Sequence, residues 1–160
     1  MLVLKLFLVV LLVLVVLQDI RQRQIHVLLP LAILFIGLSI NFDKILLLLA
    51  QWSSSLVFLI LVFAILAIYA TIKFKEMTNP FSSMIGVGDF CYLFCVIPLF
   101  SFHYYLLYFS VGMIFSLLLF LMVKQIIGHV QTVPLAGYLS LFLMAILVVE
   151  NFSSLKFTII

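Results

Sequence analysis

The sequence predicts an all-α, polytopic membrane protein of about six transmembrane helices, built as one membrane-embedded domain over residues 1–160. Three observations lead there. Hydrophobic residues make up 68% of the chain and charged residues 8%, more apolar surface than a soluble core of this size needs. Apolar runs close to the bilayer-crossing length of about 17–25 residues recur along it. The few charges gather in short islands between those runs.

The first span covers residues 2–17, and Lys5 can snorkel to the interface. A cleaved secretory signal would end in a small-x-small site. Here Gln18-Asp19-Ile20-Arg21 follows instead, so the first helix is expected to be retained. A basic loop over 18–26 leads to a second span at 27–40, where Pro30 falls in the first turn and its missing N–H does little harm. Asn41-Phe42-Asp43-Lys44 forms the next turn. Residues 45–51 are apolar but too short to cross, and Trp52 favours the headgroup level. The expectation is an interfacial segment at 45–51 and a third span at 52–72. The longest polar loop, 73–80, follows. A fourth span at 83–102 would carry residues 86–89 inside the membrane boundary. Non-helical backbone at that depth is tolerated only against protein or a water-filled cavity, so a wet pocket is expected there. The fifth and sixth spans lie at 104–123 and 133–149. Gly112 and Ser116 make a small-xxx-small pair suited to close helix packing.

The net charge of +3 is small, and the basic residues sit between spans, so they read as topology signals and not as nucleic-acid contacts. Loops one, three and five hold Arg21, Arg23, Lys73, Lys75 and Lys124, while Lys5, Lys44 and Lys156 lie on the other side with Asp43 and Glu150. The positive-inside rule then places both termini outside and the odd loops in the cytoplasm. Cys91 and Cys95 share a helix face as small core residues, with no second pair to complete a four-ligand zinc site. His103 is expected at the interface and His129 in a loop. No metal or organic cofactor is implied.

Two polar islands break the apolar pattern: Asp19-Ile20-Arg21-Gln22-Arg23-Gln24-Ile25 and Gly86-Val87-Gly88-Asp89. An ionisable group at membrane depth is costly and is a functional candidate by default. Two spans separate Asp19 from Asp89, and an even number returns the chain to the same face, so the two can meet near the cytoplasmic surface. Water is a poor nucleophile and an amide a poor electrophile. A carboxylate can take a proton from water while a neutral carboxylic acid polarises the carbonyl, and two close aspartates share one proton naturally. Nothing else in the chain offers a hydrolytic centre: there is no nucleophile-elbow serine and no His-Glu-x-x-His motif. Gly86 and Gly88 allow positive φ and close approach of a substrate backbone. Asp19 ends a helix and Asp89 begins one, which gives the two carboxyls different dipole fields. Taken singly, Asp19 also fits a helix-end residue paired with Arg21 or Arg23, and Asp89 an N-cap after a glycine turn.

These islands resemble the motifs of the type IV prepilin peptidases, a family of aspartic membrane proteases. The first family motif is an Asp followed by polar or basic residues and Ile, here Asp19 to Ile25 and then His26. The second is Gly-x-Gly-Asp, here Gly86 to Asp89. A proline-containing stretch opening the last helix is similar to Val133-Pro134-Leu135-Ala136-Gly137-Tyr138-Leu139. The resemblance covers most of the chain. It implies cleavage of basic leader peptides from pilin-like precursors at the cytoplasmic face of a prokaryotic cytoplasmic membrane. It assigns Asp19 and Asp89 as the catalytic pair, with Gly86, Gly88, Arg21, Arg23 and Pro134 shaping the site or meeting substrate. Many relatives carry Lys soon after the second aspartate, where this chain has Phe90-Cys91-Tyr92, and Pro where it has His26. The bifunctional members' cytoplasmic insert with cysteine pairs is missing, so peptidase activity alone is expected, as in tight-adherence or archaeal preflagellin peptidases. Presenilin-like proteases share Gly-x-Gly-Asp but set the first aspartate deep in a helix, often after Tyr, whereas Gln18 precedes Asp19. Two other functions fit the same residues: a secretion or pilus subunit that lost catalysis, and a small proton-coupled transporter. The transporter lacks a visible inverted repeat.

Overall fold

A chain this apolar forms helices because a backbone in lipid must satisfy its own N–H and C=O groups. The computed structural model describes residues 2–22, 25–74, 86–127, 133–152 and 158–159. They form α1 (Leu2–Gln22), α2 (Leu28–Ile40), a 3-10 turn (Phe42–Lys44), α3 (Ile45–Phe74), α4 (Val87–Val96), a second 3-10 turn (Ile97–Leu99), α5 (Phe102–Ile127) and α6 (Leu135–Phe152). No strand occurs among the described residues. The stretches Val3–Gln22, Ile45–Tyr69, Phe102–Gln125 and Leu135–Phe152 are long and apolar enough to cross a bilayer, and Leu28–Ile40 and Val87–Leu99 are shorter. The protein is therefore an all-α membrane protein with four helices of spanning length among the described residues.

α1 packs most extensively on α6 and also on α2; α2 meets α4, α5 meets α6, and α3 meets α5. The packing selects one stripe of each helix. On α1 the buried residues Leu8, Leu12, Val15 and Asp19 recur at alternating steps of four and three, the spacing of one helix face. Val10, Val13, Leu14 and Leu17 are exposed on the remaining surface. On α4 the stripe runs from half-buried Asp89 through buried Tyr92, Leu93 and Val96. On α6 it holds Ala136, Leu139, Ser140 and Leu143. The small-residue pair on α5 serves packing: a Cβ on Gly112 would stand 2.6 Å from Leu139 Cδ2 on α6, and Ser116 is buried.

Several boundaries differ from the sequence expectation. α1 continues past residue 17 to Gln22, so Gln18, Asp19 and Arg21 are helical and not part of a loop. No interfacial segment separates 45–51 from a third span: α3 is continuous from Ile45, and Trp52 is 8% exposed inside the core. The polar cluster there does not break the helix, because Ser53 and Ser54 donate to the Ala50 carbonyl (2.8 and 2.9 Å) and Ser55 to that of Gln51 (3.0 Å). At 30 residues α3 is about 45 Å long and exceeds a hydrocarbon core of about 30 Å. The expected fourth span is not one helix either. α4 starts at Val87 with Gly86 as its N-cap, and its α-helix stops at Val96, where Pro98 lacks the N–H needed to continue. Residues 83–85 and His129 lie outside the described residues. His103 is exposed in the first turn of α5.

The far end of the bundle is closed by Asn41. Its Nδ2 donates to the carbonyls of Gly37 and Pro98, both at 3.1 Å, and joins the end of α2 to the turn after α4. The chain's last described residues fold back to the same turn. Ile159 N–H donates to the Leu99 carbonyl at 2.9 Å, and Thr158 Oγ1 donates to Glu150 Oε2 at 2.7 Å.

Candidate active site

Pro134 is buried immediately before α6, and its carbonyl accepts the Tyr138 N–H at 3.1 Å, the first bond of the helix. The N–H groups just upstream in the first turn have no intrahelical partner. Two of them are taken by the aspartates. Gly137 N–H donates to Asp19 Oδ2 at 2.6 Å, and Ala136 N–H donates to Asp89 Oδ1 at 3.0 Å. Consecutive amides of one helix terminus thus hold side chains from the end of α1 and the start of α4. A carboxylate is favoured there by the free donors and by the helix dipole. The two carboxyls are close enough to feel each other's charge. Among the described residues, Asp19 Oδ1 accepts no hydrogen bond, while the Gly86 backbone lies against Asp89 Oδ2.

The shared α6 terminus offsets the expected contrast between the two helix ends. Asp19 stands at the unfavourable end of α1, yet it faces the favourable end of α6. Asp19 is 4% exposed. Asp89 is half-buried behind exposed Gly86 and Val87.

Neither Gly86 nor Gly88 acts by positive φ, and of the two Gly88 alone acts by close approach. Gly86 has φ −64° and ψ 140°, an extended conformation open to any residue. A Cβ on it would lie 3.4 Å from Asp89 Oδ2, an ordinary van der Waals contact, so neither conformation nor space requires glycine there. Gly88 is helical, and a Cβ there would stand 3.2 Å from Ile25 Cβ. Gly88 therefore lets the loop after α1 lie directly on α4. That loop is drawn back to its own helix by a 3.2 Å bond from His26 N–H to Gln18 Oε1. Gly137 has the same use: a Cβ on it would meet Asp19 Oδ2 at 3.1 Å and Asp19 Cβ at 3.2 Å.

The structure thus brings Asp19, Asp89, Gly86, Gly88 and Pro134 to one place. Arg21 is exposed in the last turn of α1, and Arg23 lies outside the described residues. Sequence reasoning missed Ala136 and Gly137 as donors, and Ile25 as the partner of Gly88. Pro134 was the available signal, because a residue opening a helix is followed by unpaired amides. An apolar hollow of about 200 Å³ lies between α3 and α4, lined by Leu56, Leu59, Ile60, Phe90, Cys91 and Phe94. No group of three or more His, Cys, Asp or Glu able to hold a metal occurs among the described residues. No family model, curated protein or solved structure matches the chain.

Proposed function

We propose that the protein is a membrane aspartic endopeptidase that uses Asp19 and Asp89 to cut the basic leader from pilin-like precursors. One observation carries this reading: two carboxyls are held side by side by neighbouring amides of one helix terminus. One carboxylate takes a proton from water as the water oxygen adds to the scissile carbonyl carbon. The other, protonated, gives its proton to the carbonyl oxygen. Collapse of the tetrahedral intermediate breaks the C–N bond: the leaving amine takes the proton gained from water, and a hydroxyl of the intermediate returns its proton to the other carboxylate as the product carboxyl forms. The apolar hollow beside Phe90 suits an apolar residue of the precursor's helix. In this reading α2 and α4 complete six spans and the dyad lies near the cytoplasmic face.

The same bonds favour a second reading. Asp19 and Asp89 cap α6 and would stabilise it without any catalysis, as in an inactive membrane subunit of a secretion or pilus system. The deciding experiment reconstitutes the chain in vesicles with a pilin-like precursor and compares it with Asp19→Ala, Asp89→Ala and the double variant. Cleavage by the native chain that each single change abolishes supports the peptidase. A folded native chain that cuts no precursor sinks it.

A further inference from the structure

Three buried tyrosines lie behind the dyad. Tyr92 on α4 is 0% exposed, and its hydroxyl is 3.1 Å from that of Tyr108 on α5. Tyr108 also donates to the Leu139 carbonyl on α6 at 3.0 Å. Tyr105, one turn earlier on α5, donates to the Leu93 carbonyl on α4 at 3.1 Å. The Tyr108 ring is stacked between Phe100 and Phe142, with centroids at 4.8 and 5.9 Å. Ser140 lies beside the Tyr92 hydroxyl, outside aligned hydrogen-bond geometry.

The register of these contacts matches that of the site. Asp89 meets Ala136, and three residues further along each helix Tyr92 meets Leu139 through Tyr108. Three residues advance a helix by about 4.5 Å, so the two cross-links are successive rungs between α4 and α6. The first rung is a flexible carboxyl at the open end. The second is a pair of phenols in a dry, packed interior, where a hydroxyl that loses its partner is costly.

We infer that Tyr108 is a positioning residue: through its bonds to Tyr92 and Leu139 it sets the axial register of α4 against α6 and so places Asp89 on the Ala136 amide. The catalytic side of this inference rests on the peptidase reading above. Tyr108→Phe keeps the stacked ring and removes both bonds. Tyr92→Phe removes only the bond between the two hydroxyls and leaves Tyr108 on Leu139. Either change breaks the rung between α4 and α6.

The test measures precursor cleavage in vesicles, thermal unfolding, and the amide proton shifts of Ala136 and Gly137 in isotope-labelled protein. Tyr108→Phe is expected to lower kcat about tenfold, which corresponds to about 1.4 kcal/mol, with KM unchanged. The Ala136 amide, bonded to α4, should move upfield, while the Gly137 amide, bonded to α1, stays in place. Tyr92→Phe, which breaks the same rung, should show the same pattern. Native kcat per folded molecule and an unmoved Ala136 amide in Tyr108→Phe overturn the inference, whatever happens to the melting temperature. Equal movement of both amides overturns it too. If the native chain itself cleaves nothing, the peptidase reading fails, and the Ala136 shift alone decides whether Tyr108 places Asp89.

Discussion

The two ends of the bundle tie helices together by different chemistry. At the far end Asn41, a neutral amide, bonds to the carbonyls of Gly37 and Pro98 and is 2% exposed. At the dyad end two carboxyls bond to consecutive backbone N–H groups of α6. The first arrangement uses the Asn41 donors on local carbonyls and closes the structure. The second sets two ionisable groups together where charge is costly. A carboxyl can hold or release a proton and a side-chain amide can do neither, and that separates a candidate site from a joint.

The comparison breaks first at the aspartates. Asp19→Asn and Asp89→Asn keep an oxygen to accept from α6, so the fold should survive. Cleavage should fall by about 10²–10⁴-fold, the range for general acid–base groups. Native turnover in either variant would reduce the dyad end to a second joint. Gly137→Ala comes next. Its Cβ would stand 3.1 Å from Asp19 Oδ2, so the carboxyl must give by a few tenths of an ångström, and a loss in kcat smaller than the roughly 10²-fold of a full ångström is expected. Asn41→Ala should do the reverse. It strands the Pro98 carbonyl and lowers stability by about 1–3 kcal/mol, read from thermal or denaturant unfolding in detergent, with native kcat per folded molecule. Arg21→Ala should matter least: an exposed side chain of this kind changes stability by less than about 0.5 kcal/mol, and unchanged cleavage would remove it from the site.

The helices were legible in the sequence because unbroken apolar runs leave the backbone few alternatives in lipid. Their inward faces were not. Leu8, Leu12 and Val15 are buried while Val10, Val13, Leu14 and Leu17 are exposed, and the two sets are the same residue types. Lipid-facing and protein-facing positions are equally apolar, so periodicity carries little signal. Helix ends were misread where polar residues looked like loop. Gln18 and Asp19 stay helical because each finds a partner, His26 N–H for one and Gly137 N–H for the other. Trp52 marks no helix boundary because α3 runs continuously through it and its side chain packs into the core. In the site, Asp19 and Asp89 stood out as charges in apolar surroundings. Ala136 and Gly137 did not, because a backbone N–H has no side chain to announce it.

The two amides that hold the dyad belong to one rigid stretch of backbone, about 1.5 Å apart along the α6 axis. The distance between the carboxyls is thereby referred to a single helix terminus instead of to the relative tilt of α1 and α4. Bilayers of different acyl length change helix tilt at modest cost. Such a change should alter how firmly the bundle holds together more than how the dyad is spaced. In vesicles of graded acyl length, thermal stability is therefore expected to follow thickness while kcat stays nearly level; a kcat that tracks thickness would mean that the α6 terminus does not set the spacing.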